Sequence, residues 1–224
     1  MIKIESTQTY GWEAAIRGMR NPMNSWDKMD SFLCLGGETP KCSICEDRHT
    51  GQCADGFVIG NADAALMKKL AASGNDHGKF LRMITVTVDL TAPLYWWKEF
   101  DTYKVGTVAN SCSTMHKIQA KKFGREDFSC EHLIPRMLEV LDVTIFNLNA
   151  CRGNYLETAD KKWWWQMIQL LPSSYNQKRT VQVNYAVLKN IYHARKNHKL
   201  DEWHTLCDWV KDLPYSELIT GEPV

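Results

Sequence analysis

Apolar residues recur along the chain at two spacings, which predict strands near the start and helices through most of the rest. Residues 2–6 alternate apolar and polar side chains as a strand does, and residues 81–90 are rich in Ile, Val and Thr. Apolar stripes at three- and four-residue spacing predict helices. These helices cover residues 12–20, 61–73, 92–103, 131–150, 160–171, 180–197 and 201–211. The pattern predicts an α/β (α+β) fold, with a small mixed β-sheet flanked by several helices.

Residues 23–60 break this periodicity with Gly, Pro, Asp and Cys, and predict a long loop with a Cys-rich insertion at about residues 31–56. No repeat or linker divides the chain, so we expect a single domain over residues 1–224. No apolar run reaches the roughly 18 residues needed to cross a bilayer, and the polar start MIKIESTQTYGW does not resemble a signal peptide. We therefore expect a cytoplasmic protein.

Composition and charge narrow the classes of partner. Hydrophobic residues make up 44% of the chain and charged residues 24%, as in a globular protein. The formal net charge of +1 gives no electrostatic reason to expect nucleic-acid or membrane binding. Small ligands and other proteins therefore remain as candidate binding partners.

Four of the eight cysteines follow the pattern C-x7-C-x2-C-x7-C, at Cys34, Cys42, Cys45 and Cys53. A C-x2-C pair on a turn is typical of one half of a tetrahedral zinc site, and two flanking thiolates would complete it. His49 is an alternative ligand, and free thiols are the alternative to a structural zinc. Metal analysis of protein purified without added zinc distinguishes the two interpretations.

Residues 92–117, APLYWWKEFDTYKVGTVANSCSTMHK, resemble the signature region of the flavin-dependent thymidylate synthases. In that family an Ala-Pro pair leads a helix with a Gln three residues before an Arg-His-Arg triplet, and a stretch with Ser and Glu follows. The corresponding residues here are Ala92 and Pro93 for the pair, Glu99 for the Gln, and Thr102, Tyr103 and Lys104 for the triplet. The Ala-Pro pair and the spacing match the family, whereas the three residues of the triplet are substituted.

A second match covers residues 170–206, where a Leu-Pro pair precedes a helix with Asn, Leu, Asn and Arg at the family's spacing. The matching positions are Asn184, Leu188, Asn190, Arg195 and Trp203. A weaker match is His77, which lies before a predicted strand where the family has a Gly-His motif. Together the matches extend over roughly residues 62–210 in the same order.

The resemblance implies a homotetramer with active sites at subunit interfaces. It implies that the protein binds FAD, reduces it with a nicotinamide cofactor such as NADPH, and moves a methylene from methylenetetrahydrofolate to carbon 5 of dUMP. It assigns cofactor binding to His77, Glu99, Tyr103, Lys104, Asn184 and Asn190. It places Arg195 against the pyrimidine, as both a substrate-binding and a catalytic residue.

Several positions depart from the family. Its nucleotide-contacting Ser falls on Cys112, and a shift of one residue brings Ser111 or Ser113 there instead, so the substrate-binding candidates are Ser111, Cys112 and Ser113. One family Arg is replaced by Ala186 and another by Ile168. Several cationic ligands of the family are therefore missing.

The residues themselves allow more than one interpretation. Asn184 and Arg195 are eleven positions apart, about three helical turns, which favours one shared helix face. A guanidinium suits a uracil carbonyl or a phosphate and would stabilise negative charge on the ring, but an Arg near a helix end also pairs with a carboxylate or with its own carbonyls. Cys112 is either a nucleophile or a small buried thiol.

Three functions agree with these observations. The first is a divergent flavin-dependent methyltransferase acting on a pyrimidine nucleotide such as dUMP. The second is a catalytically inactive homologue that binds a nucleotide or flavin. The third is an interaction protein using the same fold. We expect residues 92–117 and 170–195 to form two walls of one nucleotide site.

Overall fold

The computed structural model of the protein describes residues 2–33, 53–54 and 56–221. Within these residues the strands are β1 (Lys3–Tyr10), β2 (Phe32–Leu33), β3 (Cys53–Ala54), β4 (Phe57–Val58), β5 (Thr85–Pro93), β6 (Thr107–Ser111) and β7 (Asn176–Asn184). The helices are α1 (Trp12–Arg20), α2 (Asn61–Ala72), α3 (Leu94–Phe100), α4 (Thr114–Lys117), α5 (Pro135–Thr158), α6 (Lys161–Leu170), α7 (Tyr185–Arg195), α8 (Asp201–Lys211) and α9 (Glu217–Thr220).

Four strands form one antiparallel sheet in the order β1-β5-β7-β6. The Tyr185 amide donates to the Ile84 carbonyl, and the Leu94 amide donates to the Tyr175 carbonyl. From Ile84 to Leu94 the residue numbers rise, whereas those of their partners fall from Tyr185 to Tyr175. Strands β5 and β7 therefore run in opposite directions. The predicted α+β class is confirmed, but the mixed sheet is wrong, because apolar alternation within one strand carries no information about its neighbour's direction.

Strand β7 and helix α7 replace the single helix predicted over residues 180–197. Val181 and Val183 are buried while Thr180 and Gln182 are exposed, an alternation with the period of a strand. The helix begins only at Tyr185, after the Asn184 side chain has accepted a hydrogen bond from the Val187 amide. The shared helix face predicted for Asn184 and Arg195 is therefore wrong, since the two residues lie at opposite ends of α7.

The region predicted as a loop contains a small second sheet. Strands β2, β4 and β3 pair antiparallel in that order, with Phe32 and Cys53 both opposite Val58. Strand β6 likewise lies in the small-residue stretch after Gly106, where the sequence predicts no element. The helices predicted over residues 12–20 and 201–211 are confirmed with the same ends, and the remaining ones are confirmed with shifted ends.

The chain forms two compact units, each assembled from three segments. Unit 1 comprises Met1–Lys3, Asp89–Thr102 and Ala109–Thr180. Unit 2 comprises Ile4–Val88, Tyr103–Val108 and Val181–Val224. The single domain over residues 1–224 stays a prediction.

Unit 2 buries both large apolar side chains and an ion pair. Trp12 packs edge-on against Tyr185, with ring centroids 5.3 Å apart. Arg20 and Asp63 are 4% and 0% exposed, and their side chains approach to 2.6 Å. The second Asp63 oxygen accepts hydrogen bonds from the Ser31 hydroxyl and amide and from the Asp30 amide. Both charges are thus compensated away from water.

Unit 1 buries one face of the long helix α5. Leu141, Ile145 and Leu148 of α5 pack with Met167 of α6 in an apolar cluster. The remaining buried members of this cluster are Ile118, Phe123 and Phe128. No helix within the described residues is long and apolar enough to span a membrane.

Candidate functional site

Unit 2 contains a cavity of about 670 Å³ that three segments enclose. The segments are the end of α2 with the loop that follows it, the turn before β6, and helix α7. The lining residues are Ala71, Gly74, Asn75, Gly78, Leu81, Arg82, Val105, Gly106, Asn184, Ala186, Val187, Lys189, Asn190 and His193. Two of the predicted cofactor-binding residues, Asn184 and Asn190, are among them.

Asn184 is fixed at the end of the cavity by its role as the cap of α7. Its Oδ1 accepts a hydrogen bond from the Val187 amide at 3.0 Å, which satisfies one amide of the first helical turn. Gly106 lies directly against it with φ +79°, and a Cβ there would be 2.8 Å from Asn184 Nδ2. Only glycine combines this backbone conformation with so close a contact.

Helix α7 presents one stripe of residues to the cavity. Ala186, Asn190 and His193 recur at the spacing of a single helix face, and all three line the cavity. Asn190 and His193 are both exposed. Their side chains therefore meet solvent or a ligand in the cavity.

The cavity carries positive charge. Arg82 and Lys189 line it together with the imidazole of His193, and no Asp or Glu is among the lining residues that the structure describes. The Lys189 ammonium donates to the Ala71 carbonyl at 2.6 Å, and burial lowers the pKa of this lysine. Such a surface suits an anionic ligand.

A second cluster in unit 2 joins residues that the sequence places far apart. Arg195 Nε donates to the Tyr103 hydroxyl at 2.9 Å, and the guanidinium carbon lies 4.8 Å from the centre of the Trp203 ring. Trp203 is fully buried and contacts the Tyr103 ring edge-on at 6.1 Å. Three positions of the family resemblance thus meet in space, and the aromatic rings orient the guanidinium.

The remaining predicted cofactor residues lie apart from the cavity lining. His77 and Lys104 are exposed in unit 2, next to the lining residues Gly78 and Val105. Glu99 is half-buried on α3 in unit 1.

The predicted substrate-binding residues Ser111, Cys112 and Ser113 belong to unit 1, and all three are exposed. The Cys112 carbonyl accepts a hydrogen bond from the Gln177 side chain at 2.8 Å. The Ser113 hydroxyl accepts a hydrogen bond from the His116 amide and caps α4. The interpretation of Cys112 as a buried thiol is wrong, because Cys112 is exposed directly after the edge strand β6.

Sequence reasoning missed Asn75, Arg82, Lys189 and His193 as cavity residues. His193 had a usable signal, since it is three positions after Asn190 on one helix. Arg82 had none, because its position depends on the 3-10 helix Gly78–Arg82 that replaces the predicted start of a strand.

The predicted zinc site belongs to the Cys-rich insertion. Cys34, Cys42, Cys45 and His49 lie outside the described residues, as does the side chain of Cys53. Within the described part of the chain, no group of three His, Cys, Asp or Glu is arranged to hold a metal ion. Structural zinc stays a prediction.

Comparison with known proteins identifies the fold. No protein-family model and no curated protein sequence matches this chain. Among solved structures, flavin-dependent thymidylate synthase ThyX from Helicobacter pylori, in a complex with FAD and dUMP, is similar with a TM-score of 0.66 and 16% identity, over 98% of each chain. A second structure of that enzyme with FAD and dUMP has a TM-score of 0.64, 16% identity, and covers 99% of this chain and 98% of its own. The chain has the fold of these enzymes, which confirms the resemblance at the level of structure.

Proposed function

We propose that this chain is a divergent flavin-dependent thymidylate synthase-like protein that binds FAD and methylates a pyrimidine nucleotide such as dUMP. One observation carries the proposal. Asn184 and Asn190, which the sequence resemblance alone assigns to flavin, line the same cavity in a fold shared with enzymes crystallised with FAD and dUMP.

The residues of the cavity fit a flavin nucleotide. A volume of about 670 Å³ lies within the range of about 300–1,000 Å³ typical of small-molecule and cofactor sites. The side chains of Asn75, Asn184 and Asn190 offer amide donors and acceptors, which suit the carbonyl and N–H groups of a flavin ring. When bound, the flavin supplies the redox chemistry that amino-acid side chains lack.

Arg195 is the residue that we assign to the pyrimidine. Its guanidinium would donate to a ring carbonyl and stabilise negative charge that develops there. Tyr103 and Trp203 hold it in one orientation, so that little side-chain freedom is lost on binding. We assign contacts with the nucleotide to Ser111, Cys112 and Ser113, and we expect methylenetetrahydrofolate and NADPH as the remaining reactants.

A binding experiment tests this function directly. We expect purified protein to be yellow or to become yellow with added FAD, and we expect dUMP to raise its melting temperature. Deoxyuridine, which lacks the phosphate, is the matched control ligand. A colourless protein whose melting temperature responds to neither FAD nor dUMP would leave only the interaction function.

The second candidate function is binding without catalysis. The observation that favours it is the substitution of the family's triplet by Thr102, Tyr103 and Lys104, with Tyr103 already engaged by Arg195. An activity assay distinguishes the active enzyme from the inactive homologue. It measures release of the hydrogen at carbon 5 of dUMP in the presence of methylenetetrahydrofolate, NADPH and FAD. Binding of FAD and dUMP without release would establish the inactive homologue.

We also propose that the protein assembles as a homotetramer. Helix α5 of unit 1 exposes Met137, Val140, Val143 and Phe146, with 39%, 56%, 61% and 72% of each residue exposed. Large apolar side chains grouped on one helix typically mark a surface that another protein covers. A second copy of this chain is the partner that the shared fold suggests.

A further inference from the structure

The positive charge of the unit 2 cavity is more than an uncharged flavin or pyrimidine ring requires. Arg82 ends the 3-10 helix Gly78–Arg82, and His193 lies in the last turn of α7, so two separate segments place a guanidinium and an imidazole on one cavity. Both side chains are exposed, and neither forms a hydrogen bond or ion pair within residues 2–33, 53–54 and 56–221. Their N–H donors therefore have no partner within the described structure.

Lys189 adds a second cation, and its position is fixed. Its ammonium is half-buried and bonded to the Ala71 carbonyl at 2.6 Å, which holds it at the cavity wall. A partly desolvated charge attracts an anion more strongly than an exposed one. Two of its three N–H groups remain for a ligand.

The backbone beside these cations also favours an anion. Ala186 and Val187, in the first turn of the eleven-residue helix α7, line the cavity, and peptide dipoles make that end of a helix positive. Gly74, with φ +94°, and Gly78 line the opposite segment, so a bulky group can approach the backbone there. Position 186 is also where the family's Arg is absent.

We propose that Arg82, Lys189 and His193 bind the phosphate groups of the nucleotide that occupies this cavity. The inference rests on the proposed function, which supplies the nucleotide. Arginine binds phosphate oxygens through two parallel N–H groups, and imidazole donates in either protonation state. Cations from the 3-10 helix and from later turns of α7 thus replace the one lost at Ala186.

Flavins that differ only in phosphate content test this inference. Riboflavin has none, FMN has one, and FAD has a diphosphate with adenosine. Titration of each, followed by quenching of flavin fluorescence, should show FMN binding about tenfold more tightly than riboflavin, as for one charge-assisted contact. FAD should bind at least as tightly as FMN, and inorganic pyrophosphate should compete with it.

Two variants locate the effect. Arg82→Gln and His193→Gln should each weaken FAD binding about five- to tenfold and leave riboflavin binding within about twofold. Lys79→Gln is the matched control, because Lys79 is exposed on the same 3-10 helix but does not line the cavity. Pyrophosphate should compete much more weakly in the double variant, which keeps only Lys189 of the three residues.

The outcomes separate this inference from the proposed function. Wild-type protein that binds none of the three flavins would reject both. Wild-type protein that binds FMN and riboflavin equally, or variants that bind FAD like the wild type, would reject phosphate recognition by these residues and leave flavin binding intact.

Discussion

The two units of this protein use polar and apolar residues in opposite ways. Unit 2 buries a charged pair, Arg20 and Asp63, and has a cavity lined by cations and amides. Unit 1 buries a plain apolar cluster and leaves apolar side chains of α5, among them Val143 and Phe146, facing outward. A buried charge must be compensated within the unit, whereas an exposed apolar face is most readily compensated by another molecule. The proposed flavin cavity thus lies in unit 2, and the proposed assembly surface lies in unit 1.

The largest expected effect breaks the buried charge of unit 2. Asp63→Ala leaves the Arg20 guanidinium buried without its carboxylate and should lower the free energy of unfolding by about 3–5 kcal/mol. Urea denaturation followed by tryptophan fluorescence measures this. Asp208→Ala, at a carboxylate with 71% of its side chain exposed, should change it by less than about 0.5 kcal/mol. Equal effects of the two substitutions would contradict the account of unit 2.

The next effect concerns ligand binding in unit 2. Arg195→Ala should weaken the stabilisation by dUMP by roughly 1.5–3 kcal/mol, the range for a hydrogen bond to a charged group. Arg195→Lys keeps the charge but loses the planar fork, so it should recover only part of the response. The measurement is the melting temperature as a function of dUMP concentration. An unchanged response in Arg195→Ala would remove this residue from the nucleotide site.

A third prediction concerns assembly through unit 1. Phe146→Glu places a charge on the exposed face of α5 and should reduce the oligomer to smaller species, as measured by light scattering. Because the side chain is 72% exposed, folding stability should change by less than about 0.5 kcal/mol. Lys122→Gln, at an exposed position of unit 1 outside α5, serves as the control. A Phe146→Glu protein with the mass of the wild type would exclude this face from the interface.

The smallest effect compares one thiol from each unit. Burial raises the pKa of Cys207 in unit 2 to about 11, so this thiol is protonated and unreactive at mildly alkaline pH. Cys112 in unit 1 is exposed and accessible to reagent. Iodoacetamide labelling with peptide mapping should modify Cys112 first, and Cys207 only as the pH approaches 11. Early modification of Cys207 in folded protein would contradict its burial.

The sequence predicts this molecule well where local periodicity decides the structure. Helices α1, α2 and α8 occur where apolar stripes place them, because an amphipathic helix carries its own signal. The stripe fails over residues 180–184, since Val181 and Val183 fit either spacing until the neighbouring strand is known. Strand β6 gives almost no signal, because an exposed edge strand has no apolar alternation to detect.

The cavity shows the same contrast between local and distant information. Asn184 and Asn190 line it, and the sequence suggests them because their spacing within one segment resembles a known family. Arg82 was not found, because its place at the cavity depends on how the loop after α2 folds back. The contact between Tyr103 and Arg195 joins residues 92 positions apart, and no local pattern encodes such a distance.

The cap of helix α7 determines which hydrogen-bonding groups the cavity offers to a ligand beside Asn184. Asn184 Oδ1 already accepts from the Val187 amide, whereas the NH2 group of this side chain has two donors for a ligand. A ring carbonyl is therefore the complementary group for a ligand to present there. Asn184→Asp would keep an acceptor for the helix while removing those donors. One residue thus sets both the start of a helix and the orientation in which a ring can enter.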